Sequence, residues 1–248
     1  MIKKLAILVP ILTFGIYSVA HADYSVGSIL PGIDLGSDDP EKVSTTLRLI
    51  ILFTVMSIAP AFLVLMTCFT RIVIVLGFVR TALGTQQMPP NQVIVGLALF
   101  MTFFVMGPTF SEVNKEALQP FMDGKMTQQE AFKTASDPLK EFMAKHTREK
   151  DLALFMDYAK MDKPKSIEDI PLTALVPAYA ISELKSAFQM GFMIFVPFLV
   201  IDMIVASILM SMGMMMLPPV MISLPFKILL FVLVDGWNLI VKSLLMSF

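Results

Sequence analysis

The sequence predicts an all-α, membrane-associated protein built from two long helical hairpins, with a small helical extracytoplasmic domain inserted between them. Three observations carry that expectation. Of 248 residues, 56% are hydrophobic and 16% charged, whereas soluble domains are about 45–50% apolar. The apolar residues fall into two pairs of long runs, and each pair turns at a Pro-Pro dipeptide. The polar residues collect between the pairs: Ser111 to Ala187 holds 11 of the 19 Lys and Arg and 13 of the 20 Asp and Glu.

Residues 1–22 carry Lys3 and Lys4, an apolar stretch from Leu5 to Val19, and then Ala20, His21 and Ala22. That is the three-part pattern of a cleavable signal peptide, with the small residues Ala20 and Ala22 set for cleavage. Cleavage after Ala22 puts Asp23 outside the cytoplasm; an uncleaved signal anchor is the alternative. Residues 23–43, rich in Gly, Pro and Asp, read as a flexible exposed leader. The first hairpin covers residues 44–110. Its first limb, Leu47 to Val79, would run about 50 Å as a helix against about 30 Å of hydrocarbon. It therefore kinks at Pro60, or its end leaves the lipid and packs on protein. Gly84, Pro89 and Pro90 mark the turn, Arg80 falls on the cytoplasmic side as the positive-inside rule prefers, and Val93 to Phe110 returns.

Residues 111–187 form the inserted domain. Thr127 and Glu130 have capping-box spacing, and Asp137 before Pro138 fits the start of a further helix. Apolar residues recur at Leu139, Phe142 and Met143, and again at Leu152, Phe155, Met156 and Ala159, so these helices are amphipathic. A region this short has a limited core of its own and packs on its neighbours. The second hairpin, residues 188–248, repeats the earlier layout: Phe188 to Leu217, Pro218 and Pro219, then Val220 to Phe248. Its turn reads SMGMMMLPP from Ser211 to Pro219. Met214, Met215 and Met216 thus follow a glycine and precede two prolines, where regular helix stops. Unbranched thioethers there fill an irregular gap and still rearrange, which suits a deformable constriction; methionine also serves simply as an apolar residue.

Arg71, Asp202, Lys227, Asp235 and Lys242 lie in or beside apolar runs, where an ion costs several kcal/mol unless paired or wetted. Arg71, Asp202 and Asp235 are candidate functional charges. Lys227 and Lys242 also fit side chains that snorkel to the interface. For Asp202, a contact to another helix, a wet interior and a proton site all stay open. Several function classes recede. A net charge of −1 leaves no field to attract nucleic acid. The two histidines, His21 and His146, are a poor inventory for a metal or a histidine-based catalytic centre. Cys68 is the single cysteine, so no internal disulfide forms. There is no Walker A sequence, GxGxxG, HExxH or GxSxG. The expectation is a non-enzymatic protein without metal or cofactor.

The strings PAYAISELKSAFQMGF (Pro177 to Phe192), SMGMMMLPP and LPFKILLFVLVDGW (Leu224 to Trp237) resemble the FliP family of flagellar type III secretion export-gate proteins. With the signal peptide and both hairpins, the resemblance covers essentially the whole chain except the leader. It implies that several copies, five in the family's assembly, join FliQ and FliR in a closed helical ring. Unfolded flagellar subunits leave the cytoplasm through that ring. FlhA and FlhB are implied as further partners, with membrane lipid around the assembly. The implied location is the bacterial inner membrane at the flagellar basal body, with much of the chain on the periplasmic side. Residue by residue, Met214, Met215 and Met216 match the methionine gasket that seals the pore. Glu183 matches a position used in ring assembly, with Arg148 and Lys227 as its basic partners across subunits. Phe142 and Phe155 match aromatic assembly positions. Two other readings remain: a secondary transporter built on paired hairpins and Asp202, and an intramembrane aspartyl protease using Asp202 and Asp235. The protease reading lacks a GxGD motif around either aspartate.

Overall fold

The computed structural model describes residues 40–248 apart from Gln86, Lys163, Lys165 and Met215. The expected cleavage residues Ala20 and Ala22, the first part of the leader and the central methionine of the turn lie outside the described residues. All regular structure among those described is helical, with no strand.

The elements are α1 (Pro40–Leu65), α2 (Phe69–Leu83), α3 (Asn91–Val113), a π-helical turn (Asn114–Leu118), α4 (Gln119–Met122), α5 (Gln128–His146), α6 (Glu149–Tyr158), α7 (Leu172–Ser211), α8 (Pro219–Leu233) and α9 (Gly236–Leu245). Two compact units divide after Pro60, residues 1–60 and 61–248, and the sites described below belong to the second. Pro60 sits inside α1, and the first apolar run breaks at Met66 to Cys68. Arg71, three residues beyond, is buried, so the second half of the run is an interior helix.

Two continuous stretches are long and apolar enough to cross a membrane: Asn91–Met122, which runs through the π turn, and Leu172–Ser211. The pair α8 and α9, bent by 63°, passes the same test only when its two helices are taken together, as a broken span or a re-entrant loop. At about 1.5 Å per residue, the 40 residues of α7 reach about 60 Å, twice the hydrocarbon thickness. The expected boundaries at 110/111 and 187/188 fall inside these continuous helices. Near the π turn, Pro120 has no N–H for the Glu116 carbonyl, and the wider turn carries the chain past that missing bond.

α2 lies along α7 and supplies much of the core: Ile72, Val75, Leu76 and Val79 are buried beside Ala98, Met101 and Met106 of α3 and Ala187 of α7. One glycine permits the closest approach. A Cβ at Gly191 would sit 2.3 Å from the Phe78 ring, whose edge meets Phe188 at 5.3 Å between centroids. A second, smaller core joins α5 to the start of α7 through Met143, Ile170, Leu175 and Tyr179, with Leu139, Phe142 and Leu152 packed on it.

The capping box forms. Glu130 N–H donates to the Thr127 hydroxyl, and the Glu130 carboxylate accepts from the Thr127 N–H at 2.9 Å. Those bonds, the backbone one first and then the hydroxyl, hold the Glu130 carboxyl below its ordinary range. The expected start at Asp137 does not occur. Pro138 is inside α5, a helix of 19 residues; it forfeits one helical bond, and buried against its neighbours it keeps the helix going.

Candidate functional site

Four local arrangements bring the sequence-predicted residues together or account for them singly. The most enclosed is centred on Arg71. Its guanidinium grips the Glu183 carboxylate with two parallel bonds, Nε to Oε2 at 2.8 Å and Nη2 to Oε1. Both side chains are buried, Glu183 completely. The remaining nitrogen, Nη1, donates to the Ser247 carbonyl at 2.8 Å and to its hydroxyl at 3.1 Å. Phe248 lays its ring over the guanidinium, 4.0 Å from the centroid. Phe142 stacks on Phe248 at 6.5 Å and meets Tyr179 at 6.2 Å. His146, 4.7 Å from the Phe142 ring, places Nε2 3.4 Å from the Phe248 carbonyl oxygen. Arg71, Phe142 and Glu183, expected separately, are thus one node.

Within the chain Glu183 is held by Arg71, because α2 packs along α7 and brings Arg71 into register; the expected pairing with Arg148 and Lys227 is one between subunits. Arg148 pairs with Asp151, three residues on. Its own N–H donates to the Ser182 hydroxyl at 3.0 Å, and that hydroxyl donates to Asp151 at 2.6 Å. Desolvation pushes the Asp151 carboxyl up, but the bonds from Ser182 and Arg148 outweigh it and hold the group below its ordinary value. Ser182 and Glu183, adjacent in sequence, therefore face different helices, one towards α6 and the other towards α2.

Lys227, the third member of the expected set, is buried, and its ammonium donates to Asp202 Oδ2 at 2.6 Å. Ser223 donates its hydroxyl to the other carboxylate oxygen. Asp202 therefore meets α8, the helix-contact option left open by the sequence. A buried ion retained this way needs its partner, since the pair offsets a desolvation cost of several kcal/mol per ion. Asp235 is exposed at the bend between α8 and α9, with φ of 50°. Of the two aspartates that the protease reading requires, Asp202 is paired with Lys227 and Asp235 is exposed at a helix bend. Phe155 is half-buried on α6, apart from the aromatic contacts of Phe142.

The methionine turn follows from its glycine. Gly213, at φ of 73°, donates to the Met210 carbonyl at 3.1 Å, and Met214 N–H reaches the Leu209 carbonyl at 3.0 Å. These two bonds end α7 in a left-handed cap that satisfies its last carbonyls. Pro218 and Pro219 then start α8 where a missing N–H costs nothing. Between the two, Met216 is 97% exposed and Met214 39%. Beside the turn, a wholly apolar groove of about 380 Å³ is lined by Ile201, Ile204, Val205, Ile208, Leu209, Ile222 and Phe226.

The sequence reading missed Ser182, Ser223, Asp151, Ser247 and Phe248. Ser182 stands next to Glu183, and Ser223 lies four residues before Lys227, so helical spacing from a known charge was the available signal. Among the described residues, no cluster of His, Cys, Asp and Glu has metal-holding geometry.

Helices long enough to span a membrane, with their buried charges neutralised by partners on neighbouring helices, define a helical membrane protein. A model of the FliP family matches residues 52–244. The chain is 75% identical over 212 residues to the flagellar biosynthetic protein FliP of Bacillus subtilis (strain 168), an alignment covering 86% of this chain and 96% of that one. Its counterpart from Aquifex aeolicus (strain VF5) is 48% identical over 225 residues, covering 90% and 94%. That from Caulobacter vibrioides is 53% identical over 201 residues, covering 81% and 76%. The chain belongs to the FliP family.

Proposed function

We propose that this chain is a core, non-enzymatic subunit of the flagellar type III protein export gate. Several copies, five by the resemblance, form with FliQ and FliR a closed helical pore that passes unfolded flagellar subunits. FlhA and FlhB are its further neighbours in the inner membrane at the basal body. The chain divides into a signal peptide at 1–22, a leader at 23–43, a first hairpin at 44–110, a periplasmic helical region at 111–187 and a second hairpin at 188–248.

The observation that carries the reading is the methionine turn in a chain of this family. A glycine-capped helix end and a proline-started helix pin both sides of a short loop, leaving Met214 and Met216 exposed. In a ring, such loops converge on the axis. Thioether side chains from several copies then close against hydrated ions and yield to varied polypeptides, because they are flexible and offer no fixed hydrogen-bonding pattern. Phe142, Arg148, Phe155, Glu183 and Lys227 serve assembly by fixing the surfaces of α5, α6, α7 and α8 that meet a neighbouring copy.

The test replaces Met214, Met215 and Met216 together by alanine. The expected outcome is a resting ion leak through membranes containing the assembled gate, with the ring still formed. A resting conductance equal to that of the unaltered protein removes the gasket. The mass of the intact detergent-extracted complex, measured with its FliQ-like and FliR-like partners, checks the ring independently; a lone monomer rejects it.

A further inference from the structure

Glu183 is a proposed assembly residue, and its position depends on Arg71, so the question is what keeps Arg71 in place. A guanidinium paired to one carboxylate still has a free edge and two open faces. Here the edge is taken by Ser247, through its carbonyl and its hydroxyl, and one face by the Phe248 ring at 4.0 Å. Phe248 is itself seated: Phe142 stacks on it with planes 21° apart, and His146 meets it edge-on at 5.5 Å. The contacts therefore run in series from Phe142 through Phe248 to Arg71 and Glu183. The series joins α5, α2 and α7 to the residues after α9. The match to the family model stops at residue 244, short of both Ser247 and Phe248.

We propose that Phe248 is a positioning residue, whose ring holds the Arg71 guanidinium in the orientation that grips Glu183. The physical reason is the ring's negative face, which attracts a cation most strongly where water is excluded; the Arg71 guanidinium is buried here. Phe142 then acts on Glu183 through Phe248, which gives that aromatic a specific task. This inference rests on the assembly reading of Glu183 only for its consequence, not for the contact itself.

The experiment compares Phe248→Leu, which keeps apolar bulk but loses the ring face, with Phe248→Tyr, which keeps the face. Both are made in the full chain, extracted in detergent, in the Arg71 and Arg71→Met backgrounds. The readouts are the thermal midpoint and the yield of oligomer. With Arg71 present, Phe248→Leu should lower the midpoint by about 2–4 °C relative to Phe248→Tyr. With Arg71→Met, the gap should shrink to what the ring's contacts with Phe142 and His146 contribute. Equal midpoints for Leu and Tyr beside Arg71, or an undiminished gap beside methionine, overturn the proposal. Should Arg71→Met fail to accumulate, Arg71→Lys replaces it: a smaller gap supports the proposal and an unchanged one overturns it. A coupled midpoint with an unchanged oligomer yield upholds the positioning role of Phe248 and instead rejects the part of Glu183 in assembly.

Discussion

Buried charge sets the residue scale. Removing one partner of the Arg71–Glu183 or Asp202–Lys227 pair leaves an uncompensated ion in an apolar interior, at a cost of about 3–5 kcal/mol. Glu183→Ala and Asp202→Ala should therefore each lower the thermal midpoint of the detergent-extracted chain strongly, whereas Asp123→Ala, whose exposed bridge to Lys125 contributes at most about 1 kcal/mol, should not. Equal midpoints across the three variants reject the burial argument. Asp151 adds a pH dependence whose sign is fixed. Its carboxyl is depressed in the folded chain, so its contribution is fully present above the ordinary value of 3.8 and fades as pH falls through the lower folded value. Hydrogen exchange at the start of α6 should accelerate below that ordinary value, and Asp151→Asn should remove the acid-dependent part. Three of the charges were legible, since Arg71, Asp202 and Lys227 stand out in apolar sequence, while Glu183 entered only through the family resemblance. Their pairing was not: Arg71 and Glu183 are 112 positions apart, and only the register of α2 on α7 joins them.

Helix ends decide the scale of the element. Among the described residues α2 ends at the left-handed Gly84, and three further helices close with a left-handed cap that also carries a bond from the next N–H, at Gly124, Lys160 and Gly213. Of these three, two use the residue without a Cβ, and one forces a lysine to φ of 51°. An L side chain in that conformation costs about 1–2 kcal/mol, so substitutions at the two kinds of site should act in opposite directions. Gly213→Ala should loosen the end of α7, and Lys160→Gly should tighten the end of α6, read as faster and slower amide exchange at Met214 and Met161 respectively. At the other end of a helix, Thr127→Ala should cost about 1 kcal/mol by removing the cap of α5, and it should fray only the first turn. The capping box and the stop at Gly213 were readable because both depend on residues within a few positions of each other. The continuation of α5 through Pro138 was not, because Asp-Pro is a valid helix start locally and burial against neighbouring helices overrides that preference.

At the scale of the whole molecule, the apolar faces left uncovered have to meet something other than water. Phe100, Phe103 and Phe104 of α3 and Phe192, Met193 and Met203 of α7 are each more than 60% exposed, and contiguous apolar surface of this kind marks a membrane or subunit contact. Composition cannot separate the two, because a lipid-facing helix and a subunit interface are both apolar; that is why the all-helical class was legible and the environment of each face was not. The export-gate reading does separate them. It turns most of these faces towards other subunits, consistent with an α7 twice as long as the hydrocarbon is thick. Cys68 is the one cysteine and is fully buried, so single cysteines introduced at Phe104 and Met193 can carry an environment-sensitive fluorophore against a quiet background. In the assembled complex, reconstituted in lipids brominated along their chains, the probes should show little quenching. Dissociating the complex into single chains in the same lipid should expose them and quench both strongly. Strong quenching in the intact complex at both positions would mean that these faces lie in lipid, and the arrangement of hairpins facing sister chains would have to be abandoned.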